Sequence, residues 1–136
     1  MRTLVITRDM FRRIKELVYR ADGDISVRLF GSVAGDYFFV QDVLDTETEA
    51  HPNLQWFGEL YVHSDGCPVL FPEEKEAVQR LLQRPDAPQH HNEFIAGAIL
   101  KRDNGVMVCP LLFSRDNPGG EIVLIEIPEL DWGKVM

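Results

Sequence analysis

Residues 58–66 read GELYVHSDG, and PEE follows at residues 72–74. Apolar and polar residues alternate in the first stretch, which predicts a β-strand with one buried face. Leu60 and Val62 are predicted to point into a core. The opposite face then carries Glu59, Tyr61 and His63, with the histidine at the end of the strand.

A helix is predicted to begin shortly after this strand. Pro72 is a favoured first helical residue, so Glu74 falls in the first turn, close to the exposed N–H groups of the helix start. A histidine at a strand end and a carboxylate at the next helix start can converge on one point. The stretch therefore predicts a strand–turn–helix unit in which His63 and Glu74 form a candidate metal site.

The same stretch resembles the signature of the JAB/MPN (JAMM, Mov34-like) metalloprotease family, which is His-x-His-Pro followed by Ser-x-x-Asp. In this register His63 matches the second histidine, and Tyr61 stands in place of the first. Glu74 stands at the aspartate position. Ser64 replaces the proline of the signature, and Phe71 replaces its serine.

A second segment also resembles the family. JAB/MPN domains have a strand of the type Glu-x-x-Gly-x-Leu-x-Gly that supplies the catalytic glutamate, and residues 24–31 read DISVRLFG. Asp24 stands at the glutamate position in this register. The resemblance covers most of the chain, and it implies the cytidine-deaminase-like architecture of the family.

The resemblance also implies a chemistry for the site. If the site is catalytic, the implied cofactor is zinc, bound by His63 and Glu74. Asp65 is the nearest candidate for a third zinc ligand, and either Asp24 or Glu59 is the candidate general base. If the site is not catalytic, no cofactor is expected.

The departures from the signature affect this chemistry directly. A catalytic zinc ion usually takes three protein ligands and a water molecule. The phenol of Tyr61 has an ordinary pKa near 10, so it is a poor substitute for imidazole. The side chain of Asp24 is one methylene shorter than glutamate, and Phe71 has no oxygen with which to cap a helix. These changes together predict that catalysis has been lost.

Each candidate residue has an alternative interpretation without a metal. His63 can be a solvated histidine at a strand end. Glu74 can be a carboxylate that stabilises the helix dipole, and Asp24 can be a turn residue after Gly23. Tyr61 can pack beside the site or fill the space that a metal would take.

Composition limits the classes of function. The 136 residues predict one domain over 1–136, and a net charge of −8 argues against nucleic acid and anionic membranes as partners. No apolar run has the length of a membrane span, and the N-terminus soon turns polar and basic, unlike a signal peptide. Two cysteines do not make a disulfide framework. A cytoplasmic location is expected.

The order of predicted elements is α-β-β-β-α-β-β-β, with a short strand possible before the first helix. Hairpins dominate, so the fold class is α+β, with a mixed, largely antiparallel sheet flanked by two helices. The predicted helices run from Thr7 or Asp9 to about residue 20 and from 72 to 84. The predicted strands are 4–6, 25–31, 37–44, 56–63, 94–100, 106–113 and 121–127.

Three functions fit these observations. The first is a catalytically degenerate JAB/MPN-like domain that serves as a scaffold or binding module for a protein partner and can form a dimer. Its expected contact surface lies around Trp56-Phe57 or Trp132. The second is a zinc-dependent peptidase or isopeptidase that acts on the C-terminus of a ubiquitin-like or carrier protein. The third is an unrelated α+β binding module.

Overall fold

The computed structural model describes residues 2–20, 25–45, 54–63, 69–83, 93–102, 105–117 and 119–128. Two helices are formed by these residues, α1 (Arg8–Arg20) and α2 (Pro72–Gln83). The strands are β1 (Thr3–Val5), β2 (Ile25–Ala34), β3 (Tyr37–Asp45), β4 (Gln55–Val62), β5 (Glu93–Arg102), β6 (Gly105–Ser114), β7 (Glu121–Ile122) and β8 (Leu124–Glu126).

Helix α1 begins directly after a capping residue, Thr7, which lies two residues beyond the end of β1. The hydroxyl of Thr7 accepts a hydrogen bond from the backbone N–H of Met10 at 3.2 Å, so Thr7 is the N-cap of the two residues considered. Ile14 and Val18, four residues apart, are buried on the face that meets the sheet. Neither α1 nor α2 is long and apolar enough to cross a membrane.

The strands form one mixed sheet in the order β7-β6-β5-β4-β2-β3-β1-β8. Strand β2 pairs antiparallel with β3 and β4, and β6 pairs antiparallel with β5 and β7. Parallel pairs join β4 to β5, and join β1 to both β3 and β8. The predicted α+β class with a mixed sheet and two helices is confirmed.

The prediction of one last strand over residues 121–127 was wrong. The segment forms two short strands, β7 and β8, which lie at opposite ends of the strand order although only Val123 separates them in the chain. The two ends of the sheet therefore come together, and the sheet is nearly a barrel. Val123 is 5% exposed, because its side chain enters the core at the point where the sheet nearly closes.

The two helices cover opposite faces of the sheet, because alternate residues of each strand feed two separate clusters. In β5, Ile95 and Ile99 belong to the main core, which also holds Ile14 and Val18 of α1. The residues Phe94 and Ala96 belong instead to a second cluster under α2, with Val78 and Leu82.

The predicted contact surface at Trp56-Phe57 was wrong. Phe57 is 1% exposed and packs in the main core against Phe38. Trp56 is half-buried on the other face, where its ring meets the edge of Phe94 with centroids 5.3 Å apart. Adjacent residues of a strand point to opposite faces, so these two side chains do not form one surface.

Candidate functional site

The end of β4 and the start of α2 meet through one pair of side chains. His63 follows β4 directly, and Glu74 lies in the first turn of α2. The Nε2 atom of His63 lies 2.8 Å from both carboxylate oxygens of Glu74. Since a carboxylate only accepts hydrogen bonds, Nε2 carries the hydrogen that is shared between them. The predicted convergence of these two residues is observed.

Glu74 also caps its own helix. The backbone N–H of Phe71 donates to Oε1 of Glu74 at 2.7 Å, which is the backward half of a capping box in which the third helical residue satisfies the N-cap N–H. Pro72 takes the first helical position, where no N–H is needed. The interpretation of Glu74 as a helix-start carboxylate is therefore correct. The same side chain also makes the contact with His63.

The interpretation of His63 as a solvated strand-end residue was wrong. Its side chain is 2% exposed, and that of Glu74 is 16% exposed. The ring of Phe71 stacks on the imidazole, with centroids 3.8 Å apart and planes at 13°. Phe71 thus lacks the capping oxygen of a serine, but its ring covers the histidine. Because the imidazole is buried, removal of the Glu74 carboxylate would take away the acceptor of its N–H without exposing that N–H to water.

Glu59 is the centre of a second polar group, on the same face of β4 as Tyr61 and His63. The hydroxyls of Ser26 and Tyr61 donate to the two oxygens of Glu59, at 3.0 and 3.2 Å respectively. Arg28 places its Nε 3.9 Å from Glu59 Oε1 and its guanidinium carbon 4.9 Å from the centre of the Trp56 ring. Glu59 is therefore held by hydroxyl groups and a cation from β2 and β4.

Tyr61 is a neutral phenol in this setting. Burial, then the negative charge of Glu59 and the hydrogen bond to it, raise the pKa of Tyr61 well above its usual range. The nearby Glu74 carboxylate acts in the same direction, and Arg28 acts against it. A phenolate that could bind a metal in place of the first signature histidine is thus disfavoured.

Of the zinc set that the signature implies, the described residues supply His63 and Glu74, which are in direct contact with each other. A tetrahedral zinc ion bound by an imidazole nitrogen and a carboxylate oxygen holds those two atoms about 3.4 Å apart. The 2.8 Å contact between His63 and Glu74 would have to open to admit one. Among the residues that the structure describes, no three His, Cys, Asp or Glu side chains come together as ligands. The predicted third ligand, Asp65, and the predicted base, Asp24, lie outside the described residues.

Sequence reasoning missed three members of the site. Phe71 was considered only as a failed helix cap, although its position next to Pro72 places it over the strand end. Ser26 and Arg28 lie opposite Tyr61 and Glu59 in the antiparallel register of β2 and β4. Their alternate spacing in β2 marks them as one polar face, but the register that brings them to Glu59 is not encoded locally.

Two solved structures resemble the fold of this molecule over nearly the whole chain. One is a JAB1/MPN domain protein from Archaeoglobus fulgidus, with a TM-score of 0.53 and 13% identity over 91% of this chain and 98% of that one. The other is protein DSY2949 from Desulfitobacterium hafniense, with a TM-score of 0.59 and 13% identity over 92% of this chain and 94% of that one. No protein-family model and no curated protein matches the sequence.

These comparisons establish the fold of the molecule. The chain has a JAB/MPN-like α+β fold, as the resemblance in residues 58–74 and 24–31 implied. At 13% identity the likeness concerns the fold alone, so the roles of His63, Glu74 and Glu59 rest on their own contacts.

Proposed function

We propose that this chain is a catalytically degenerate JAB/MPN-fold domain that acts by binding another protein. The observation that carries the proposal is the direct contact of His63 Nε2 with both oxygens of Glu74, at the two positions that match zinc ligands of the signature. The histidine hydrogen and the carboxylate oxygens satisfy each other. The pair then serves to join β4 to α2.

The remaining site residues support the same role. Tyr61, at the position of the first signature histidine, is a neutral donor to Glu59, and Glu59 is in turn engaged by Ser26. A general base must be free to take a proton from a water or substrate within hydrogen-bond reach. Here the oxygens of Glu59 are occupied by hydroxyl hydrogens from its own sheet, which favours a structural role for this carboxylate.

The binding role is supported by exposed apolar side chains on β8 and β3, the two strands that flank β1. Leu124 and Tyr37 both lie opposite Thr3 in the parallel registers, so they flank it in one row across the sheet. They are 51% and 46% exposed, and Ile122 on β7 is 71% exposed. Large apolar side chains grouped on a surface are typical of a protein contact.

The metal half of the proposal is tested by zinc content in protein purified without chelator. We expect far less than one zinc ion per chain by mass spectrometry, and the same value for His63→Gln, because the pair needs no metal to be satisfied. About one zinc per chain that is lost in His63→Gln would contradict the proposal. It would instead support the zinc-dependent peptidase, with ubiquitin-like substrates as the next test.

The binding half is tested by two lysine variants of equal chemistry. Leu124→Lys places a charge in the outer row of β8, whereas Val69→Lys places one at a 60% exposed site before α2. Proteins retained by the immobilised wild-type chain are expected to be lost with Leu124→Lys and kept with Val69→Lys. Equal retention by all three proteins would remove this surface from the proposal.

A further inference from the structure

Strand β6 is paired unequally on its two sides. On one side it pairs with β5 along its whole length. On the other side, within the part of the chain that the structure describes, only Leu111 and Leu112 pair, with the two residues of β7. After Val123 the chain pairs with β1 as β8 instead. Residues 105–110 of β6 therefore lie beyond the end of β7, and we call their outer side the β6 edge.

The hydrogen bonds of the β5–β6 hairpin decide which backbone groups point to this edge. Two residues separate Arg102 from Gly105 in the sequence, so this pair closes the hairpin and is hydrogen-bonded. Along an antiparallel pair, residues alternate between bonding to the neighbouring strand and pointing away from it. Met107 therefore bonds to β5, whereas the N–H and C=O groups of Val106 and Val108 point outward to the β6 edge.

The sequence of the β6 edge does not protect it from pairing. Natural edge strands are commonly guarded by charged residues or by proline. Residues 105–109 read GVMVC, without charge or proline, and Pro110 comes only after them. The side chain of Val108 belongs to the main core, whereas Met107 is 48% exposed. An uncharged edge that carries an exposed apolar side chain is a template for another strand.

We infer that the β6 edge pairs, antiparallel, with the β6 edge of a second copy of this chain, about a two-fold axis at Met107. The sequence Val106-Met107-Val108 is the same in both directions. A two-fold axis at its centre therefore places Val106 of each copy opposite Val108 of the other. Because both residues point their backbone groups outward, each of these two pairs exchanges two hydrogen bonds.

The side chain at the axis also favours a second copy over an unrelated strand. The two Met107 residues face each other as a non-hydrogen-bonded pair, whose Cα atoms lie about 4.5 Å apart. Their contact removes two exposed thioether side chains from water. Although each chain carries a net charge of −8, residues 105–113 contain no charged residue, so the pairing places no like charges opposite each other.

This pairing goes beyond the proposed function and does not depend on it. The row proposed to bind another protein includes Leu124 on β8 and Tyr37 on β3, whereas the edge belongs to β6. Trp132, the other residue predicted from the sequence to form a contact, lies outside the described residues. The two contacts use different strands, so variants of one can be measured without changing the other.

Analytical ultracentrifugation of the full chain provides the first test. The wild-type chain is expected to sediment as a dimer at high concentration and to dissociate on dilution. Met107→Lys brings two positive charges together at the axis, and we expect it to raise the dissociation constant about tenfold or more. Val69→Lys, at a 60% exposed site before α2, is the matched control and is expected to keep the wild-type constant.

Disulfide cross-linking then locates the axis. Met107→Cys is made in a chain whose two natural cysteines are removed by Cys67→Ser and Cys109→Ser. Oxidation is expected to link two copies, because the Cα separation of a non-hydrogen-bonded pair lies within the range that a disulfide spans. Val69→Cys in the same background is expected to stay unlinked on a denaturing gel.

Three results would overturn the inference. A dimer that is equally stable in Met107→Lys, or that Met107→Cys does not cross-link, would place the contact elsewhere on the molecule. A wild-type chain that is monomeric at every concentration would leave the β6 edge without a second copy. A monomeric chain whose captured proteins are lost with Met107→Lys would assign the edge to a strand of another protein. None of these results depends on zinc content or on Leu124→Lys, so this inference and the proposed function fail separately.

Discussion

Replacing Gly97 with alanine is expected to lower the free energy of unfolding by about 3 kcal/mol, the upper end of ordinary overpacking effects. A methyl group at this position would lie 2.2 Å from the carbonyl oxygen of Cys109 and 2.7 Å from the Cα of Pro110. Gly97 pairs with Pro110 on β6 and with Leu60 on β4. The backbone therefore cannot move away from one neighbour without disturbing the other.

The control for this variant is Gly119→Ala. Gly119 is exposed, and the nearest atom to its added methyl group would be Oδ1 of Asn117 at 3.9 Å, an ordinary contact. Urea unfolding followed by far-ultraviolet circular dichroism is expected to show a large loss of midpoint for Gly97→Ala and almost none for Gly119→Ala. Equal midpoints would mean that β6 can shift relative to β5.

The need for glycine at position 97 illustrates where sequence reasoning stops. The strand over residues 94–100 was predicted from its apolar run, and it is observed as β5. That run does not reveal that Gly97 faces Pro110, since the pairing partner depends on register rather than on local pattern. The same limit explains the last strand, where alternation predicted a strand but not that β7 and β8 join different neighbours.

The site shows the same division between local and non-local information. The side-chain faces of β4 and the start of α2 at Pro72 follow from local rules, and they were predicted correctly. The burial of His63 depends on the Phe71 ring, and the polar contacts of Glu59 depend on β2. Strand β2 meets β4 with a register shift between Leu29 and Phe30, which no local pattern in the sequence encodes.

Loss of the Glu74 carboxylate is expected to be the most costly change in the candidate site. Glu74→Ala removes the acceptor of two N–H groups, the His63 Nε2–H and the Phe71 backbone N–H. The side chain of His63 is only 2% exposed, so water does not replace the lost acceptor. Breaking a buried pair by removing one partner typically costs 3–5 kcal/mol, and Glu74 is partly exposed, so we expect a loss of about 3 kcal/mol. Chemical denaturation provides the measurement.

Two controls distinguish the contacts of Glu74 from other causes of stability. Glu73→Ala measures the contribution of the helix dipole, and addition of a chelator tests for a bound metal. Glu73 lies in the same turn and is exposed, so its loss removes only the dipole contribution, roughly 0.3–1 kcal/mol. If Glu74 stabilises the fold through His63 and Phe71 alone, the wild-type protein unfolds at the same denaturant concentration with and without EDTA. If the pair instead holds a metal, EDTA lowers the wild-type stability toward that of Glu74→Ala and leaves the variant unchanged, because metal binding to the native state adds its free energy to folding.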